Sequence, residues 1–279
     1  VSFEAATEQV DGQGPHWQHL QAVAGDGPAS AGAIGLVSLA NDIALEGEFR
    51  AFLPRAGIGV YTARMPKTRA STLASLHTLE SRIGEAVSQL VPDDRLDVIA
   101  VGCTSGAAAI GLSRVAEIVE KARPGVPMTD PMSACMRALK ALGAERLAVL
   151  TPYHDAVNHV IAKTLTANGF SLASCGGFYC PDGAAMSRLA PEAILAEGER
   201  LAGDADALFI PCTALVVSPI IAALEEAVGR PVVTSNQGLA WDAMRLGGIA
   251  EDDTIPTRSA TAARLFSLAE PAATSHATR

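Results

Sequence analysis

Lysine is scarce in this chain, with only four among 21 basic residues, and no basic stripe runs along it. The net charge is −9. Nucleic acid and an anionic membrane surface are therefore poor partners, and a small anionic substrate would need donors supplied locally, because the bulk field opposes its approach. No apolar run approaches the roughly 18–20 residues that cross a bilayer. The stretch 1–32 is polar and Gly-rich and lacks a basic start ahead of an apolar segment, so it is not expected to be a signal peptide.

Cysteine chemistry is limited in the same way. Five cysteines, at 103, 135, 175, 180 and 212, form an odd set without secretory context, so free thiols in a cytoplasmic setting are expected. Cys-x-x-Cys, His-Glu-x-x-His and dense Cys/His clusters are all absent, which leaves no basis for a metal. Neither Gly-x-Ser-x-Gly nor Ser-x-x-Lys is present to support a hydrolase. Gly57-Ile-Gly59 lacks the third glycine and the acidic strand end of a dinucleotide loop. No cofactor is expected.

What is present is alternation. Apolar β-branched runs at 34–39, 57–63, 97–101, 146–150, 171–176, 207–210 and 231–234 are separated by amphipathic stretches, the pattern of parallel sheets covered by helices. Met132, Cys135, Met136, Leu139 and Leu142 share one helical face ahead of Gly143. Ile194, Leu195, Leu201 and Ala202 do the same after Pro191, a proline suited to the first helical position. Gly143 and Gly169 stand where helix C-terminal glycines are expected.

The most informative feature is an internal repeat. Asp97-Val-Ile-Ala-Val-Gly-Cys-Thr104 matches Asp206-Ala-Leu-Phe-Ile-Pro-Cys-Thr213. Each segment leads into a helical stretch, then Gly-x-Pro (125–127 and 229–231), a short strand and a further helix ending at Leu142-Gly143 or Leu246-Gly247. Residues 34–41 and 147–154 correspond as well. An offset of about 110 residues implies a duplicated α/β fold. Two pseudo-symmetric lobes are expected, each a short, mainly parallel sheet flanked by helices, facing each other across a cleft. Residues 33–128 with the returning segment 235–266 make the first lobe, and 129–234 the second. The arm 1–32 and the tail 267–279 have the small, polar composition of mobile ends.

Ligands of parallel sheets bind beyond the carboxyl ends of the strands. Cys103 and Cys212 sit at two such ends, each expected just before a helix. There, backbone N–H groups at the helix starts, with Thr104, Ser105, Thr213 and Ala214 beside them, would hold a substrate carboxylate. A helix N-terminus also favours thiolate over thiol, lowering a pKa of about 8.5. The dipole contributes only roughly 0.3–1 kcal/mol, so further activation must come from bound donors or substrate binding. One thiol in each lobe lets a thiolate attack or deprotonate on one face while a thiol protonates on the other, as cofactor-free isomerisation or racemisation requires. Cys135 belongs to an apolar helix face, and Cys175 and Cys180 read as core or loop. Arg64 could meet a carboxylate or a surface ion pair, and His154 and His159 read as surface residues.

The segments LANDIALEGEF (39–49), TARMP (62–66), VGCTSGAAAIG (101–111), TPYHDAVN (151–158), PCTALVVSP (211–219) and PVVTSNQGLAWDAMRLGG (231–248) give the chain a family resemblance. It resembles the aspartate/glutamate racemase superfamily, in the branch of maleate cis-trans isomerase, arylmalonate decarboxylase and the ectoine-utilisation protein A, over roughly residues 33 to 266. The resemblance implies that Cys103 adds as nucleophile to an alkene, that Cys212 handles the proton, and that Asn41 and Tyr153 bind carboxylate or enediolate charge. Read from the residues alone, Asn41 is a helix cap and Tyr153 a half-buried loop aromatic. Two departures stand out. Gly183 replaces an asparagine of the isomerases in Pro181-Asp182-Gly183, and CTSG after the first-lobe strand is smaller and more polar than the isomerase sequence, nearer the ectoine-utilisation branch. Decarboxylases keep only the second-lobe cysteine, whereas both are present here. A homo-oligomeric, cytoplasmic isomerase of a small carboxylate or dicarboxylate is expected. A one-thiol decarboxylase or lyase, and a non-catalytic small-molecule binder on the same scaffold, remain alternatives.

Overall fold

The computed structural model describes residue 18 and residues 20–54, 56–250 and 264–267; the rest of the arm before residue 20 and the tail after residue 267 lie outside the described residues. The chain order is β1 (Gly32–Leu39), α1 (Leu45–Ala51), β2 (Ile58–Met65), α2 (Leu73–His77), α3 (Glu80–Ser88), β3 (Val98–Val101), α4 (Thr104–Ile110), α5 (Leu112–Ala122), β4 (Met128–Thr129) and α6 (Pro131–Ala141). A similar succession, with one α-helix instead of two after the third strand, follows in β5 (Arg146–Thr151), α7 (Asp155–Ala167), β6 (Ser171–Gly177), α8 (Gly183–Met186), α9 (Pro191–Ala202), β7 (Ala207–Ile210), α10 (Ile221–Val228), β8 (Val232–Thr234) and α11 (Ser235–Gly247).

Among the described residues, the strands pair in parallel in two four-stranded sheets ordered β2-β1-β3-β4 and β6-β5-β7-β8. The strand order of one sheet repeats that of the other. β1, β3 and β7 are buried along their whole length, which explains the unbroken apolar sequences of β3 and β7 and the single polar residue, Ser38, of β1. The repeated aspartates account for part of the shared register. Asp97 Oδ2 accepts from Ala33 N (2.8 Å), and Asp97 N donates to Ala33 O (2.8 Å). Asp206 Oδ2 accepts from Arg146 N (2.8 Å) and Glu145 N (3.0 Å), and Asp206 N donates to Arg146 O (2.7 Å). Each carboxylate pins a central pair of strands at the end away from the cysteines.

The helices start and stop for identifiable reasons. Pro191 begins α9, and Gly143 and Gly169 take positive φ after α6 and α7 (73° and 92°). Asp130 caps α6 by accepting from Met132 N and Ser133 N, with Pro131 following. Thr234 and Gln237 form a reciprocal capping box on α11. α11 packs along α6 and covers β1, β3, β4 and α1 of the first sheet. Gly238 allows this approach, since a Cβ there would stand 2.7 Å from Cys135 Sγ. The two helices are also joined by a forked ion pair in which Arg137 Nε and Nη2 reach Asp242 Oδ1 (2.8 Å) and Oδ2 (2.5 Å). Thr129 Oγ1 donates to the same carboxylate (2.6 Å), which is wholly buried. These donors hold the Asp242 pKa below its ordinary value despite burial, which acts the other way and is the largest single influence. Among the described residues no helix is long and apolar enough to cross a membrane.

Candidate active site

β3 ends at Val101, and Gly102 continues its ladder by donating to Val37 O (2.7 Å). Cys103 then turns into α4 as its N-cap, with extended backbone (φ −150°, ψ 103°) and Sγ accepting from Gly106 N at 3.3 Å. A sulfur thus occupies the capping place usually held by a Ser or Thr oxygen. Ser105 Oγ lies 4.0 Å from the same sulfur.

The second cysteine departs from the expected symmetry. After Cys212 no helix starts; residues 213–217 form an irregular turn, and α10 begins only after the 3-10 turn Ser218–Ile220. Side chains from other elements take the groups that helical hydrogen bonds would use. Asn236 Nδ2 donates to Thr213 O (3.0 Å) and Leu215 O (3.4 Å), while Glu48 Oε2 accepts from Val217 N (3.0 Å) and Ser218 N (2.9 Å). Two groups still favour the Cys212 thiolate, the Tyr153 hydroxyl and the Ala214 N–H. Met186 Sδ is 3.8 Å away.

One hydroxyl joins the two cysteine segments. Ser235 Oγ pairs with Thr104 Oγ1 (2.7 Å) and accepts from Cys212 N (2.9 Å). Thr213 Oγ1 donates to Asp42 Oδ2 (2.9 Å), whose Oδ1 accepts from Ala44 N and Leu45 N at the entry to α1. The hydroxyls of Thr104 and Thr213, expected to meet substrate, are therefore committed to the frame, at 1% and 4% exposure. Asp42, not Asn41, takes the amides leading into α1.

Asn41, Cys103, Thr104, Ser105 and Tyr153 nevertheless line one cavity together with Cys212, Thr213 and Ala214. Its volume is about 30 Å³, and Asn41, Lys67 and Ser71 are only half-buried along it, so it is not sealed. Its remaining wall was not legible from the motifs: Lys67, Ser71 and Met186 complete it, with Gly183 opposite Asn41. The segment carrying Lys67 meets the one carrying Gly183 through an Ala70–Asp182 bridge and an Arg69–Asp182 ion pair of 2.5 Å. Arg64 is spent on Glu46 (2.6 Å) and on the carbonyls of Ala40 and Asp42, so it fixes the Asn41 loop from outside.

Burial governs the electrostatics. It pushes the Cys212 thiol up to about 12, against the pull of Tyr153 and the Ala214 amide. It also raises Cys103, opposed first by the Gly106 amide and then by the Lys67 charge. The helix start does favour the thiolate, as expected, but loses to desolvation because the sulfur is closed off from water. Lys67 is lowered by partial burial, with Cys103 and then Cys212 acting in the opposite sense. Tyr153 is raised well above its ordinary value, so its hydroxyl remains a donor. Burial therefore favours the neutral thiol at both cysteines and the neutral phenol at Tyr153.

The other singled-out residues lie elsewhere. Cys135 is buried in the α6–α11 contact, Cys175 is exposed on β6, and Cys180 is buried in the loop after it. His154 precedes α7 and stands edge-on to Tyr179; His159 is an exposed residue of α7. A larger cavity of about 200 Å³ lies between α7 and β6 beside Cys175, apart from both cavity thiols. Among the described residues no group of three or more His, Cys, Asp or Glu side chains converges as a metal site would require.

The family model for arylmalonate decarboxylase matches residues 72–266. The arylmalonate decarboxylase of Bordetella bronchiseptica is 31% identical over 127 residues, a match spanning 44% of this chain and 53%, about half, of that protein. A maleate isomerase of Nocardia farcinica is 25% identical over 226 residues, covering 76% of this chain and 88% of the relative. Among solved structures, a cysteine-to-serine variant of Nocardia farcinica maleate cis-trans isomerase with a covalently bound succinylcysteine intermediate superposes with a TM-score of 0.74. It is 22% identical, over 84% of this chain and 97% of that one, and so shares the two-sheet α/β fold. The chain belongs to the arylmalonate decarboxylase family, in the branch that also holds the maleate isomerases.

Proposed function

We propose that this protein is a cofactor-independent cis-trans isomerase of a small unsaturated dicarboxylate, with Cys103 as nucleophile and Cys212 as acid and base. The observation that carries this reading is the pair of thiols, one from each sheet, on a single cavity. Their surroundings differ in the direction the chemistry needs. Burial raises both thiols, but the Lys67 charge favours the thiolate of Cys103, whereas Cys212 has a phenol and an amide against it and is pushed up to about 12.

As substrate enters, Cys103 loses its proton to water and its sulfur adds to one alkene carbon. The π electrons move onto the neighbouring carboxylate as an enediolate, near Asn41, Tyr153 and Ser105. Cys212 protonates the carbanionic carbon, the former double bond turns as a single bond, and the Cys212 thiolate takes a proton back. Expulsion of the Cys103 thiolate then leaves the trans diacid. Preformed donors at the developing charge lower such a barrier most effectively. The succinylcysteine bound in the Nocardia isomerase is the adduct this sequence would form from maleate.

One-thiol decarboxylation by Cys212 is a second reading, favoured by the 31% identity with the Bordetella decarboxylase. The test is intact-mass measurement of Cys212→Ser after incubation with maleate, with peptide mapping, beside NMR of the wild type in D₂O. The isomerase reading expects fumarate from the wild type and one added substrate mass on Cys103 in the variant. Carbon dioxide release from an arylmalonate with no adduct would replace it by the decarboxylase reading. Proton exchange into a saturated amino or hydroxy acid would replace it by racemisation.

A further inference from the structure

Lys67 stands on the wall facing the thiols, and the proposed steps leave it without a role of its own beyond its field. It is the only cation among the residues lining the cavity. The sole anion there, Asp42, is satisfied by Ala44 N, Leu45 N and Thr213 Oγ1. The neighbouring arginines are neutralised as well: Arg64 by Glu46, and Arg69 by Asp182. Lys67 Nζ instead donates to three neutral oxygens of its own segment: Thr68 O (3.1 Å), Ala70 O (3.2 Å) and Ser71 Oγ (3.2 Å). It is half-buried, and among the described residues it makes no ion pair. A cation fixed by neutral acceptors at the edge of a cavity lacks a counter-charge, which an anionic ligand can supply.

The segment of Gly183, which meets that of Lys67, leaves space. A Cβ on Gly183 would meet nothing nearer than Asn41 O at 4.0 Å. Donors on the thiol side, Ser105, Tyr153 and the Ala214 amide, can serve one carboxylate, leaving the region between Lys67 and Gly183 for a second group.

We propose that Lys67 is a specificity residue that takes the second carboxylate of the substrate, so that the site selects dianions over monoanions of the same shape. This rests on the isomerase reading for its choice of substrate but not for its test. A charge-assisted hydrogen bond of this kind corresponds to a discrimination of about 10- to 100-fold.

The experiment uses binding first. In Cys103→Ser, which cannot form an adduct, the affinities of succinate and of its half-amide succinamate are measured by calorimetry, with and without Lys67→Met. Succinate is expected to bind about 10- to 100-fold more tightly than succinamate, and Lys67→Met to abolish that preference while Lys67→Arg retains part of it. Equal succinate affinity with and without Lys67→Met overturns the proposal, whether or not the wild-type protein proves to be an isomerase. Failure of succinate to bind Cys103→Ser at all overturns it too. Where the wild type turns over maleate, Lys67→Met should raise KM for maleate and not KM for maleamate, while loss of the Lys67 charge beside Cys103 falls on kcat for both. A fall in kcat for both at constant KM would assign Lys67 to thiolate formation instead, and would overturn the proposal.

Discussion

The neutral state of Cys212 has a consequence that can be worked through to a rate. With its pKa near 12, Cys212 is thiolate in only about one molecule in 10⁴ at pH 8. An ordinary thiol of pKa about 8.5 is roughly a quarter ionised there, so ionisation alone lowers the reactive fraction by about three orders of magnitude. A more basic thiolate is intrinsically more nucleophilic, with a Brønsted coefficient of about 0.4–0.5, and over 3.5 units this restores roughly 30- to 50-fold. The net expectation is alkylation about 50- to 100-fold slower than for a short cysteine peptide, before its 6% exposure slows access further. The log rate should also climb by one for each pH unit, with no plateau between pH 7 and 9. Iodoacetamide labelling at a series of pH values, resolved peptide by peptide in a mass spectrometer, measures both. The exposed Cys175 should label ahead of Cys212 in every sample. A plateau of Cys212 labelling near neutral pH, or labelling as fast as the reference peptide, would show a resting thiolate and refute its assignment as the proton-bearing partner.

Removing the bridging hydroxyl in Ser235→Ala strips Thr104 Oγ1 and Cys212 N of a buried partner, at a cost of about 1–3 kcal/mol each. The urea midpoint should fall accordingly, and turnover with it. Arg137→Ala leaves the Asp242 carboxylate buried against Thr129 and Arg245 and should cost about 3 kcal/mol in the same titration. Because the Asp242 pKa is lowered in the folded state, its contribution is present above pH 3.8 and lost as pH falls through the folded value. The stability gap between wild type and Asp242→Asn should therefore narrow in acid. Two glycines should behave oppositely on heating. Gly102→Ala drives a methyl into Leu45 and the Val37 carbonyl and should cost about 1–3 kcal/mol, whereas Gly183→Ala should stay within about 0.5 kcal/mol.

The repeat was the most legible feature because it combines local pattern with spacing. The Asp-to-Cys-Thr segments marked β3 and β7, and parallel pairing of buried strands follows from their unbroken apolar runs. The face written by Met132, Cys135, Met136 and Leu139 is indeed the buried side of α6. What escaped the sequence depends on partners far along the chain. Ser235 acts on Thr104 across 131 residues, and Asp42 on Thr213 across 171. Neither contact follows from periodicity or motif. The turn after Cys212 escaped for a related reason: Glu48 and Asn236, from α1 and α11, replace the hydrogen bonds that local propensity would have assigned to a helix. Lys67 could have been suspected only from its rarity and its place just after a strand end.

The return of α11 to the first sheet also sets the order in which the molecule can be completed. β1, β3 and β4 are covered by a helix that follows the whole second sheet in the chain. Phe52, fully buried after α1, is stacked on Phe266 at 5.8 Å between ring centroids. During synthesis, domains ordinarily fold from the N-terminal side as they emerge. Here the first sheet leaves the ribosome with an apolar face still bare, and it keeps that face while residues of the second sheet are added. Chaperone binding and aggregation risk should accordingly concentrate on the nascent first half. The part made earliest is the part that matures last.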